Sequence, residues 1–132
     1  GGEGVVTIFD QTLHPLPLAL LRNLSGQGIK YATVTGTQAV GVYLELVAAV
    51  AGKKIRVLAL SLMTSSAAST AYEVRSTNPG TVIGRIFANS TVPFVMAECA
   101  FGYFETVAGE SLTIKDITGS TIYVNVTYAE VG

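Results

Sequence analysis

From Lys30 onward, apolar and polar positions alternate in short runs, with turn-forming residues between the runs. "TIYVNVTYAEV" (Thr121–Val131) shows the pattern most clearly. Ile122, Val124, Val126 and Tyr128 fall on one face, and Thr121, Tyr123, Asn125 and Thr127 on the other. A period of two predicts a strand with one face in a core and one wetter face. "KIRVLALSLMT" (Lys54–Thr64) is different, because only Arg56 and Ser61 interrupt its apolar character. Uninterrupted alternation puts Ile55, Val57, Ala59 and Met63 on one face and Leu58, Leu60 and Leu62 on the other. That pattern predicts a strand buried on both sides.

The remaining strand candidates are "KYATVT" (Lys30–Thr35), "VGVYLELVAAV" (Val40–Val50), "AYEVRS" (Ala71–Ser76) and "TVIGRIFA" (Thr81–Ala88). "TVPFVMA" (Thr91–Ala97), "GYFETV" (Gly102–Val107) and "SLTIKDI" (Ser111–Ile117) complete the set. The turn signals "AGKK", "TSSAAS", "TNPG", "ANS", "AGE" and "TGS" divide them. No helical periodicity competes over a long window. The pattern predicts an all-β protein, an antiparallel β-sandwich or jelly roll of about eight strands over residues 30–132.

Residues 1–29 break the pattern. Pro15 and Pro17 exclude a regular helix or central strand there, although a short helical turn could follow Pro17 and end at Gly26. Leu13, Leu16, Leu18, Leu20, Leu21 and Leu24 nevertheless make the segment apolar. The reading is an extended N-terminal arm whose leucines are assembly or interface candidates. "GGEGVVTIFD" has neither the basic nor the apolar region of a signal peptide.

Composition sharpens this picture. A chain of 132 residues suits one core, and a formal net charge of -1 offers no basic footprint for nucleic acid or a membrane surface. Only 13% of residues are charged, and mean hydropathy is +0.50. A membrane helix needs about 20 apolar residues. The longest apolar stretch, Val40 to Ala51, contains Glu45 and stops at Gly52-Lys53-Lys54. The excess therefore predicts surface covered by other subunits, as in a homo-oligomer.

Candidate chemistry is sparse. "AGKK" could suggest a phosphate-binding loop, but Val47 and Lys54 stand where that motif needs Gly and Ser/Thr. The following segment also reads as a strand rather than a helix whose amides could cradle phosphate. Gly52 instead fits a strand corner, kept wet by Lys53 and Lys54. His14 is the only histidine and has no second ligand for zinc and no G-x-S-x-G to complete a triad. Glu105 and Glu110 flank the "TVAG" turn and could approach one another as a carboxylate pair, but no tryptophan is present to stack on a sugar. Cys99, the lone cysteine, reads as a small buried hydrophobe. Sequons occur at Asn23, Asn89 and Asn125, of which Asn125 suits a structural role in mid-strand. If loops bind a ligand, Tyr31, Tyr43, Tyr72 and Tyr103 would be the exposed stacking platforms. The residues predict no enzyme, no metal site and no cofactor.

Two blocks resemble a known family. They are "AAVAGKKIRVLALSLMTSSAASTAYEVRS" and "FGYFETVAGESLTIKDITGSTIYVNVTYAEV". The shared parts are a "VAGK-x-I-x-V" strand start (Val50–Val57), a Ser/Ala-rich turn (Thr64–Thr70) and a strand ending "V-x-S" (Tyr72–Ser76). A late "G-x-F-E-T-x-A-G-E-x-L" (Gly102–Leu112) leads to a terminal "Y-x-E-V" (Tyr128–Val131). Over roughly residues 40 to 131 the chain resembles small structural proteins of tailed bacteriophages. It departs from them in "IFANSTVPFVMAECAFG", where many relatives carry a Gly-rich run. The resemblance implies a non-enzymatic virion component of β-sandwich or jelly-roll fold, a homo-oligomer and often a trimer at local symmetry axes. Its partners would be the major capsid protein or other virion proteins, with no nucleic acid or membrane. Capsid decoration (cement) or head-fibre-base proteins are the roles it implies first. A tail or neck component, or a surface module binding a glycan or receptor, is the alternative.

Overall fold

The computed structural model describes residues 28–37, 41–77, 80–99, 101–116 and 119–132. The predicted arm, with Leu13, Leu16, Leu18, Leu20, Leu21, Leu24 and His14, lies outside the described residues apart from its last two positions. The described chain is all strand and turn. In order the strands are β1 (Lys30–Thr37), β2 (Tyr43–Val47), β3 (Lys54–Thr64), β4 (Thr70–Ser76) and β5 (Thr81–Ala88). They continue as β6 (Phe94–Met96), β7 (Phe104–Glu105), β8 (Leu112–Asp116) and β9 (Thr121–Val131).

The pairings are nested. β1 pairs with β9, β2 with β8, β3 with β6 and β7, and β4 with β5, every pair antiparallel. One long hairpin is thus rolled up on itself. Rolling brings β3 against β9 and β4 against β8. The large sheet runs β1-β9-β3-β6 with β7 also on β3, and the small sheet runs β2-β8-β4-β5. This is the double-sheet arrangement of a jelly roll.

The sheets enclose one main core. Ile55, Val57, Leu60 and Leu62 of β3 and Ile122, Val124 and Val126 of β9 meet Tyr72, Val74, Ile86, Leu112 and Ile114 of the small sheet. Tyr72 is fully buried, and its hydroxyl lies 2.5 Å from Thr64 Oγ1 and 2.8 Å from Ser120 Oγ. That satisfies the one polar atom a core tyrosine must bring with it. Gly84 of β5 stands opposite Val74 and so on the core side. A Cβ there would lie 2.6 Å from Phe104 Cζ, so the absent side chain admits the Phe104 ring between the sheets.

The two-sided burial predicted for Lys54–Thr64 is corrected by a bulge. Val57 pairs with Tyr128 and Ala59 with Thr127, which leaves Leu58 as the extra residue. The parity of the strand therefore flips at Leu58. Ile55, Val57, Leu60 and Leu62 all face the core, whereas Ala59, Ser61 and Met63 face outward. Leu58 joins Ala129 and Val131 in a second, small buried cluster. One sheet face is buried and the other is largely open, rather than both being buried.

Three predicted strands are shorter than expected. Of the described part of Val40–Val50, only Tyr43–Val47 is strand, because the register with β8 slips between Glu45 and Val47 and Lys53 N–H then closes a turn onto Val50 O. Thr91 and Val92 belong to a turn, where their amides donate to Asn89 Oδ1 at 2.9 Å, so β6 begins only after Pro93. Gly102 N–H closes a turn onto Cys99 O, which delays β7 to Phe104.

Candidate functional site

The two motif blocks meet at one corner. Gly52, with φ of 73°, reverses the chain as only a residue without Cβ does easily. Lys53 O then accepts from Gly109 N–H at 2.8 Å, and Ile55 O from Thr106 N–H at 3.0 Å. Thr106 Oγ1 accepts from Ile55 N–H at 2.8 Å. Arg56 pairs with Glu105, and Lys54 Nζ lies 3.9 Å from the same carboxylate. "AGKKIRV" and "FETVAGE" are thus two sides of one hydrogen-bonded corner, and the lysines take part in a strand turn rather than a phosphate cradle.

This corner also accounts for the candidate carboxylates. Glu105 faces Arg56, whereas Glu110 accepts from Ser76 Oγ at 2.6 Å. Ser76 is fully buried and itself accepts from Val107 N–H at 2.9 Å. Each carboxylate is committed to a different structural partner, and neither arrangement is that of a general acid facing a nucleophile. Among the described residues no group of three or more His, Cys, Asp or Glu is placed to hold a metal ion. No helix there is long and apolar enough to cross a membrane.

The other singled-out residues divide cleanly. Tyr72 is buried, which corrects its reading as an exposed platform: its even-numbered position on β4 faces the core. Tyr31 is 74% exposed and Tyr103 is also exposed, while Tyr43 is half-buried beneath Arg75 and Lys115. Cys99 is a free thiol and only half-buried, because its backbone lies along the edge of β3, donating to Leu58 O at 2.9 Å. Asn89 organises its own turn. Asn125 sits in mid-strand on β9, accepting from Thr33 Oγ1 at 2.9 Å and donating to Ser61 Oγ at 3.3 Å.

The register exposes what the sequence pattern alone did not: the two outer faces are chemically opposite. On the small sheet, Tyr43, Lys115, Glu73 and Arg85 stand in one cross-strand row, alternating in sign. Arg75 adds two bonds to Glu73 Oε1, at 3.0 and 2.6 Å. On the large sheet, one row runs Thr33–Asn125–Ser61–Val95 and the next Thr35–Tyr123–Met63. Rows starting at Tyr31 and Thr37 flank them. Over these four rows no outward position on β1, β9, β3 or β6 is Lys, Arg, Asp or Glu. The charges of this sheet are gathered at one end, in Lys30, Lys54, Arg56, Glu105 and Glu130, where Lys30 Nζ lies 3.3 Å from Glu130 Oε2.

The charged face titrates predictably. Hydrogen bonding from Arg75 holds the Glu73 carboxyl below the usual glutamate range, against an opposing push from burial and helped by the charges of Arg75, Lys115 and Arg85. A pKa lower in the folded than in the unfolded chain stabilises the fold above the ordinary glutamate value. That contribution is lost as pH falls through the lowered one. Thermal unfolding of Glu73→Gln should therefore show a smaller drop in midpoint on acidification than the wild type. An equal drop in both would remove Glu73 from the account.

No protein-family model and no curated protein sequence matches the chain. Among solved structures it is similar to a chain described under "Bacillus endospore appendages form a novel family of disulfide-linked pili". The two are 12% identical with a TM-score of 0.46, over 80% of this chain and 91% of that one. A likeness at that score is too distant to bear on what this chain does.

Proposed function

We propose that the protein is a non-enzymatic structural subunit of a tailed-bacteriophage virion, a capsid decoration (cement) or head-fibre-base protein that self-associates and seats on the capsid shell. The observation that carries this reading is the outer face of the large sheet, which among the described residues is broad, uncharged and open over four rows. Such a face suits permanent contact with protein better than solvent. The virion assignment draws on the motif resemblance. Its two blocks form one hydrogen-bonded corner in the fold, as parts of one structural signature would. Jelly rolls recur in viral capsid domains and in lectins, an analogy of fold that agrees with the reading. The catalytic alternative loses its best candidates, since Glu105 and Glu110 are each held in structural bonds.

Mass spectrometry of purified particles from the source encoding the chain tests this directly, with a cryo-EM map to locate the sandwich. The chain should be present in many copies on the head. Its absence from purified particles overturns the reading. A second reading, a surface jelly roll binding glycan or receptor, is favoured by the exposure of Tyr31 and Tyr103. Reproducible glycan-array binding that is lost in Tyr103→Ala would support it.

A further inference from the structure

The geometry points to a second copy of this chain as the occupant of the uncharged outer face of the large sheet, the two copies meeting face to face. This rests on the reading of the protein as an assembly subunit and names the surface it uses. Three observations carry it.

The first is charge. A face without Lys, Arg, Asp or Glu meets its own copy with no like-charge repulsion and no ion left unpaired. A charged partner surface would be desolvated here without compensation. The small sheet's outer face, with its alternating ions, is the contrasting case. The second is hydrogen bonding. Thr33 Oγ1 donates to Asn125 Oδ1 and Asn125 Nδ2 to Ser61 Oγ, and the Thr37 and Thr121 hydroxyls lie 2.6 Å apart. These polar groups are already bonded to one another across the strands, so covering them strands few donors and acceptors. A sugar ligand would instead need them unengaged. The third is size. Three strands at a spacing of about 4.8 Å, over seven residues at about 3.4 Å each, with the three-residue β6 beside them, give a face on the order of 400 Å². A face-to-face pair buries roughly 800 Å² in total, the size of a weak, reversible contact. Val95 at 68% exposed and the half-exposed Met63 and Tyr123 supply large apolar groups within it.

Sedimentation velocity of the full chain tests the surface. Wild type should associate below ~100 µM. Tyr123→Lys and Val95→Lys, which place like charges opposite one another in the pair, should weaken association at least about tenfold. Phe87→Lys, on an exposed position of the other sheet, should leave it unchanged. Circular dichroism and thermal unfolding establish that each variant is folded. Variants that associate like wild type overturn the proposed face while leaving the assembly reading intact. A wild type that stays monomeric at ~100 µM overturns it as well, and the particle's protein composition then decides the assembly reading separately. Association insensitive to these charges but lost on removing residues 1–27 places the contact in the arm. Glycan binding abolished by Tyr123→Lys makes the occupant a sugar. Either result overturns the inference.

Discussion

Tyr72→Ala is expected to destabilise the fold by about 3–5 kcal/mol, as truncation of a large, fully buried aromatic does. Tyr72 lies on β4 in the middle of the core, between strands of both sheets, and collapse around the cavity would have to move one sheet toward the other. Tyr72→Phe separates the ring from the hydroxyl. Thr64 Oγ1 remains 3.0 Å from Ser120 Oγ, so those two hydroxyls keep a partner when the phenol is removed. The phenylalanine variant should therefore lose only about 1 kcal/mol. Chemical denaturation of the three proteins checks both values. Equal losses for Phe and Ala would mean that the hydroxyl network, rather than the packed ring, holds this part of the core.

Filling the gap at Gly84 should produce the second large effect. Gly84→Ala places a methyl against the Phe104 ring, and Gly84→Val adds a branched group in the same space. Losses of about 1–3 kcal/mol are expected, with valine the worse. The clash has one identifiable partner, which makes it testable by a double-mutant cycle. Phe104→Leu on its own should be destabilising, yet combined with Gly84→Ala the two costs should sum to less than their separate values. Strict additivity would show that the glycine matters for the β5 backbone and not for seating Phe104. If the clash operates, melting of Gly84→Val should also loosen the Glu105–Arg56 pair, which neighbours Phe104 on β7.

Much of this architecture was legible from alternation alone. Lys54–Thr64, Thr81–Ala88 and Thr121–Val131 have the predicted bounds, since each carries a long run of β-formers between clear turn residues. What misled was local chemistry that period counting does not register. Ala48 and Ala49 look like strand in "LVAAV" but are exposed after the pairing with β8 has run out at Val47. Pro93 and the Asn89 side chain together shorten β6. The bulge at Leu58 is the most consequential miss, because one extra residue moves every later side chain of β3 to the opposite face. Once Ser61 and Met63 are turned outward, they align with Asn125 and Tyr123, and the uncharged face exists only through that alignment. The partners of Glu105 and Glu110 were likewise out of reach. Arg56 and Ser76 are distant in sequence and are brought close only by the rolled hairpin.

The nested pairing has a consequence for the order in which the protein can be made. β9 is the last of these nine strands to leave the ribosome, yet it lies inside the large sheet between β1 and β3. Until it emerges, neither neighbour has its principal partner, and the core lacks Ile122, Val124 and Val126. The small sheet can begin from the local β4–β5 hairpin, whereas the large one must wait for contacts spanning most of the chain, which are intrinsically slow to form. A nascent chain stalled before Thr121 would thus hold an unfinished sandwich with long unpaired edges, the state most exposed to aggregation and to capture by chaperones.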